Sequence, residues 1–273
     1  MYNIFLSVAK KELLQISRHP FQLIYELVLP VVKMVPCILL GSYMLQKNGD
    51  AFFLSKTGTT NELLFISLSI LFTVFIDIQE QVGYLLENEM WMGTLEQLWM
   101  TPVKKITLVI GWVFFALIKA VVYGTISMLT IVLLTSRDLG YWANINFPLL
   151  VFAIFSLFLT SVITGIFISE ISLRFRQADA IIFFITMIIP LLSGISYPIS
   201  ILPNPIRYIS YIFPTTYIYD LIRFSIMNTR TITHAGIEIF IVVFLIAANF
   251  IFAVSIFNSI IRRLEKCGTI YLK

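Results

Sequence analysis

Charged side chains are scarce in this 273-residue sequence. Its 19 Lys and Arg and 15 Asp and Glu make 12% of the chain, about half the ~25% of an ordinary soluble domain. So little charge excludes a disordered chain, which charge keeps solvated, and a soluble nucleic-acid binder, which needs clustered cations. Cysteine is nearly missing too, with two residues. Cys37 falls inside an apolar segment and Cys267 in the C-terminal tail. That placement makes neither a disulfide framework nor a metal or redox motif, and both read as structural. His19 and His234 are isolated, and no Ser/His/Asp set, paired catalytic carboxylates or Cys/His cluster stands at a working spacing. The sequence therefore offers no catalytic, cofactor-binding or metal-ligating residues. A cleavable signal peptide is not expected either, because Lys10 and Lys11 follow the first apolar residues instead of preceding them.

Apolar residues fill the space that charge leaves. The chain is 59% hydrophobic with 24 Phe, and its mean hydropathy is +0.92. At ~20 residues per membrane-spanning helix, this length holds about six spans with their loops. The composition predicts an all-α polytopic membrane protein with a single transmembrane domain over 1–273. The formal net charge of +4 does not argue for nucleic acid as a partner, because the Lys and Arg are dispersed at the ends of apolar stretches. Membrane lipid is the partner those positions suit.

Residues 1–19 read as an amphipathic interfacial helix. Tyr2, Phe5, Leu6, Ala9, Leu13 and Ile16 share one face and Lys11, Gln15 and Arg18 the other, with Ile4, Val8 and Leu14 breaking the pattern. His19-Pro20 is expected to end it. Spans are expected over 21–45, 61–84, 106–134, 148–169, 180–197 and 236–260. With the N-terminus inside, eleven of the 19 Lys and Arg fall on the inner side and six on the outer, with Lys33 and Lys119 within spans. Lys and Arg mark the cytoplasmic side, so both termini are expected in the cytoplasm of a cell membrane. Residues 198–235 differ from the other connections: Pro198, Pro203, Pro205 and Pro214 break a segment too apolar for an ordinary loop. A short re-entrant or interfacial helix pair on the outer side, before the last span, fits that pattern.

The connection 85–105 carries the most information. Read as one helix, it places Trp91, Met92, Leu95, Leu98 and Trp99 on one face and Glu89, Glu96, Gln97 and Thr101 on the remainder, with Gly93 in mid-helix. Thr101-Pro102 stops it, and Lys104-Lys105 anchor the next span. Physics alone leaves two readings, a helix resting on lipid or a docking surface for a cytoplasmic subunit. The run Glu89-x-x-x-Gly93-Thr94-Leu95-Glu96-x-Leu98-x-x-Thr101-Pro102 resembles the signature of the ABC type-2 permeases, the membrane subunits of many ABC exporters. Ser193-Gly194, Tyr197-Pro198, Leu202-Pro203 and Pro214-Thr215 resemble that family's broken outer segment.

The resemblance implies an interfacial N-terminal helix, six spans and a coupling helix after the second span that contacts the ATPase subunit. Glu89, Gly93, Thr94, Leu95 and Glu96 would belong to that contact. No Gly-x-x-x-x-Gly-Lys-Ser/Thr run exists in the chain, and such a run is what cradles the phosphates of ATP. The chain is therefore not expected to be an enzyme. ATP and Mg would sit on a separate ATPase subunit, present in two copies. Six spans are few for a complete pathway, so a second copy of this permease, or a related half-permease, is expected to complete it.

Charges inside the spans need a partner or a task. Glu26 stands near the inner end of the first span, and Lys33 and Lys119 lie deeper. Asp77 and Glu80, at i and i+3 near the inner end of the second span, are candidate counter-charges. These five form either a structural ion-pair set or part of the translocation path. Tyr208, Tyr211, Tyr217 and Tyr219 form either an outer gate or a plain aromatic belt. The family's cargoes are diverse, and a drug, antibiotic or lipid-like molecule suits a chain with short outer loops. A secondary transporter or membrane-embedded enzyme without an ATPase is the rival class, and an immunity or regulatory role is a variant within the family.

Overall fold

A computed structural model describes residues 74–84, 110–122, 146–175, 178–194, 202–227 and 232–267, with single positions 14, 18, 21, 24, 28, 32, 88, 92, 93, 97, 125 and 199 between them. Among the described residues there are seven helices and no strand. They are α1 (residues 74–83), α2 (Ile110–Val122), α3 (Phe147–Phe175), α4 (Ala178–Ser193), α5 (Asn204–Ser210), α6 (Pro214–Met227) and α7 (Ala235–Cys267). Each of the last five expected spans overlaps one of these helices. Before them, Leu14, Arg18, Phe21, Ile24, Val28 and Val32 are helical and exposed. The expected stop at His19-Pro20 lies outside the described residues.

Among the described residues, two helices are long and apolar enough to cross a bilayer, over Phe147–Ile171 and Ala235–Ile256. The first lies inside the bundle, 44% buried, and the second on its rim, 11% buried. On the rim helix, Phe240, Phe244, Phe250, Ile251 and Phe252 all point outward. An apolar surface of that extent needs lipid or protein against it. Inside α3, three hydroxyls in mid-helix bond back to their own helix. Thr160 Oγ1 donates to the Ser156 carbonyl at 2.8 Å, Ser161 Oγ to that of Phe158 at 2.8 Å, and Thr164 Oγ1 to that of Thr160 at 2.8 Å. This is how a helix carries Ser and Thr through an apolar medium without orphaned donors.

The bundle has two distinct ends. At one, here the near end, α1 leaves toward the 85–109 connection and α3 turns into α4. Packing there is close because the contacts fall on glycine. A Cβ on Gly165 of α3 would stand 2.6 Å from Val82 Cβ, and one on Gly83 would stand 3.3 Å from Ile168 Cγ2. Ile78 and Val82 of α1, Ala116 and Ala120 of α2, and Val162 of α3 make the neighbouring apolar cluster. Phe167 and Phe252, with ring centroids 5.8 Å apart, bring α7 to this end in parallel with α3.

At the far end, α6 is wedged among the start of α3, the end of α4 and the start of α7. Its Ile218, Leu221 and Ile222 are fully buried against Ala153, Leu157, Ile189, Phe75 and Val242. The Asn146 N–H donates to the Ser225 carbonyl at 2.9 Å, tying the start of α3 to the end of α6. With 14 residues, α6 is about 21 Å long and falls short of the ~30 Å apolar core. It enters the bundle without spanning it. Ahead of it, α5 begins after Pro203 with Pro in its first turn, where a missing N–H costs nothing. Its Ile206, Tyr208 and Ile209 are exposed.

Candidate functional site

Helical hydrogen bonding in α1 does not stop where the helix leaves the bundle. The Tyr84 N–H donates to the Glu80 carbonyl at 2.9 Å, Asn88 to Tyr84 at 2.8 Å, and Met92 to Asn88 at 3.0 Å. This i to i−4 series carries the register of α1 out to Met92. There the chain turns, with Gly93 at φ 66°, in the left-handed region that glycine enters without steric cost. The helix expected over 85–105 with Gly93 in its middle is thus interrupted. Gly93 ends one helical stretch, and Gln97 is helical beyond it. Trp91, Leu95, Leu98 and Trp99, which with Met92 make the apolar face expected there, lie outside the described residues. Asn88, Met92, Gly93 and Gln97 are all exposed. Of the docking residues expected from the sequence, Gly93 is therefore a surface turn on a stalk rooted in the bundle. Glu89, Thr94, Leu95 and Glu96 lie outside the described residues.

The charges expected within the spans divide similarly. Glu26 and Lys33 lie outside the described residues. Asp77 is buried and Glu80 half-buried on α1. Lys119 is half-buried on α2, with Nζ 5.5 Å from the centroid of the Phe115 ring, within cation–π range. The helices that carry Asp77, Glu80 and Lys119 pack against each other through Ile78, Val82, Ala116 and Ala120.

The four tyrosines do not share one opening. Tyr208 is 73% exposed on α5, whereas Tyr219 is fully enclosed by the core. Tyr211 and Tyr217 pack together with ring centroids 6.3 Å apart, and Tyr217 is buried. The four stand as a packed pair, one exposed ring and one ring enclosed in the core. The spacing placed all four in one segment, but it could not show that α6 turns into the bundle.

The far end holds charges that the sequence reading passed over. Arg223 of α6 is buried, and its Nη2 donates to the Gly194 carbonyl just past α4. Gly194 itself sits at φ 65°. Asp220 Oδ2 accepts from the Ile232 N–H at 2.7 Å, and Glu238 Oε1 accepts from the Thr233 N–H at 2.7 Å. The Asp220 and Glu238 carboxyls are direct neighbours, with the Arg223 charge beside Asp220. Burial pushes the Asp220 carboxyl above its ordinary range, against the pull of the Ile232 N–H and of Arg223. Burial likewise draws Arg223 down, and Asp220 offsets part of that. Hydroxyls complete the tie: Ser193 of α4 bonds Thr215 of α6, and Thr216 Oγ1 donates to the Ser210 carbonyl at 2.7 Å. The signal was available in the sequence, since Asp220, Arg223 and Glu238 are charges inside apolar runs. Asp220 and Arg223 fell in 198–235, read as an outer re-entrant or interfacial helix pair, and Glu238 fell in the last expected span without being weighed as a charge there.

At the near end, by contrast, Glu170 is 1% exposed, and neither carboxyl oxygen has a hydrogen-bond partner among the described residues. Ser169 Oγ and both amide atoms of Gln79 are buried in the same state. Among the described residues no group of three His, Cys, Asp or Glu could hold a metal ion.

Among the described residues the fold is a helical bundle with an exposed apolar rim helix, as an integral membrane protein would have. The family model described as ABC-2 type transporter matches residues 4–227, most of the chain. The chain belongs to that family and is the permease component of an ABC transporter, a transport subunit of the membrane. No curated protein matches it.

Proposed function

We propose that this permease is one half of an ATP-driven exporter, working as a dimer with two ATPase subunits docked at 85–105. The observation that carries the reading is the stalk. Helical bonding from the bundle through Asn88 to Met92, capped by an exposed left-handed Gly93, makes a stiff lever with a surface turn at its tip. A push on the tip is then delivered to α1, and through Gly83 and Gly165 to α3. ATP and Mg are bound by the partner, whose closure supplies the displacement. This chain converts it into a change of access between two permease halves.

The near end is the cytoplasmic one in this reading. The last turns of α3 and α7 carry Arg174, Arg262, Arg263 and Lys266, and cations favour the inner side. The N-terminal helix is cytoplasmic by the same rule, and six spans then put both termini inside. Lys33 and Lys119 are candidates for the path, with Glu26, Asp77 and Glu80 as their counter-charges. A drug, antibiotic or lipid-like molecule is the cargo class.

The test is purification of the full chain under gentle extraction, followed by identification of what stays bound. A stoichiometric subunit with a P-loop and vanadate-sensitive ATP hydrolysis is the expected result. A permease that exports cargo with no such subunit would return the chain to the secondary-transporter class.

A further inference from the structure

The far-end cluster contains two buried carboxyls and one arginine, and this imbalance has a structural trace. Glu238 Oε1 is satisfied by Thr233, but Glu238 Oε2 has no N–H or O–H donor among the described residues. Its neighbour is the carboxyl of Asp220, whose Oδ2 accepts from Ile232. Two ionised carboxylates side by side in a buried site repel each other and leave Oε2 an orphaned acceptor. A single proton between them removes the repulsion, supplies the missing donor and leaves one negative charge opposite Arg223.

We propose that Asp220 and Glu238 share one proton and, with Arg223, form a latch. It fixes the re-entrant α6 to the start of α7 and the end of α4, and it loosens when the proton is lost. The site binds a proton and no larger ligand, since Glu238 is fully buried and Asp220 and Arg223 are nearly so. The step is a simple acid dissociation: the proton leaves to water, and the electron pair stays on the carboxylate. The packed state then holds more protons than the loosened one, so latch stability is full at low pH and falls as pH rises.

Other titratable groups face the latch from each neighbouring element. From α6 come Tyr217 and Tyr219, and from the turn before α7 comes the exposed His234. Arg207, Tyr208 and Tyr211 lie on or just after α5, and α3 carries no titratable residue between Phe147 and Ser169. Described α4 residues contribute only the Ser193 hydroxyl and the Gly194 carbonyl there. Arg230 lies outside the described residues. The window runs from pH 5.5 to 8.5, in a Glu170→Gln/His234→Gln background that removes the buried near-end carboxyl and the exposed imidazole before α7.

The experiment follows thermal unfolding of the purified full chain in lipid nanodiscs across that window. Glu238→Gln and Asp220→Asn each provide a permanent amide donor in place of the shared proton. Wild type should lose stability steadily with rising pH, its folded-to-unfolded ratio dropping up to tenfold per pH unit. Each amide variant should hold a flat profile, level with wild type at pH 5.5. Parallel profiles for wild type and both variants overturn the proposal. If neither variant accumulates in the membrane while wild type does, both negative charges are required, and the shared proton is equally excluded.

Discussion

The two ends of this bundle hold themselves together by different physics. At the far end, α4, α6 and α7 are joined by directional bonds: Arg223 to the Gly194 carbonyl, Ser193 to Thr215, and two backbone amides onto Asp220 and Glu238. At the near end, α1 and α3 meet through the bare backbones of Gly83 and Gly165, while Glu170, Ser169 and Gln79 are buried without hydrogen-bond partners among the described residues. Directional bonds fix a register, because any displacement breaks them outright. A smooth glycine contact defines a distance but resists sliding weakly. The difference is what the proposed exporter requires, with the near end pushed and the far end braced.

Removing Arg223 should have the largest effect. Arg223→Met deletes the bond to Gly194 and leaves two buried carboxyls without a cation, a loss of about 3–5 kcal/mol for a broken buried pair. Thermal unfolding of the purified chain should show it, with partial recovery in Arg223→Met/Glu238→Gln. Next comes the near-end contact. Gly165→Val places a Cβ where Val82 already stands and should cost about 1–3 kcal/mol from overpacking. Gly236→Ala is its control: nothing lies within 4 Å of that position, and unfolding should not change. A Gly93→Ala exchange forces a side chain into the left-handed region for about 1–2 kcal/mol, confined to the stalk tip. Protease nicking of the connection should report that change, and global unfolding should not. The smallest effect is expected at Glu170, where Gln keeps the shape and removes an ionisable group from a buried position. Stability should stay level or rise by up to about 1 kcal/mol. A large loss there would mean that Glu170 has a partner and that the two ends are alike.

Much of this comparison was legible in the residues. Hydropathy located the helices because a span must be long and apolar, and Phe147–Ile171 and Ala235–Ile256 needed no tertiary information. The proline cluster marked 198–235 as broken for a local reason, since proline cannot continue a helix. What stayed hidden depends on the path of the chain after a break. Periodicity treated Gly93 as one more helical position, but its φ is positive. It also grouped Tyr208 with Tyr219, whereas α6 folds inward and α5 does not. The Asp220, Arg223 and Glu238 cluster joins residues from two helices with a turn between them, and the backbone amides of Ile232 and Thr233 complete it. Backbone donors leave no mark in a sequence.

The central claim is that force enters through the stalk. Wild-type permease and a Gly93→Leu variant, purified side by side from the same membranes, test it by the amount of P-loop ATPase each retains. Equal insertion and equal bundle stability, with the ATPase stoichiometric on wild type and largely lost from Gly93→Leu, is the predicted result. Equal retention on both, with equal rates of ATP hydrolysis, would contradict it.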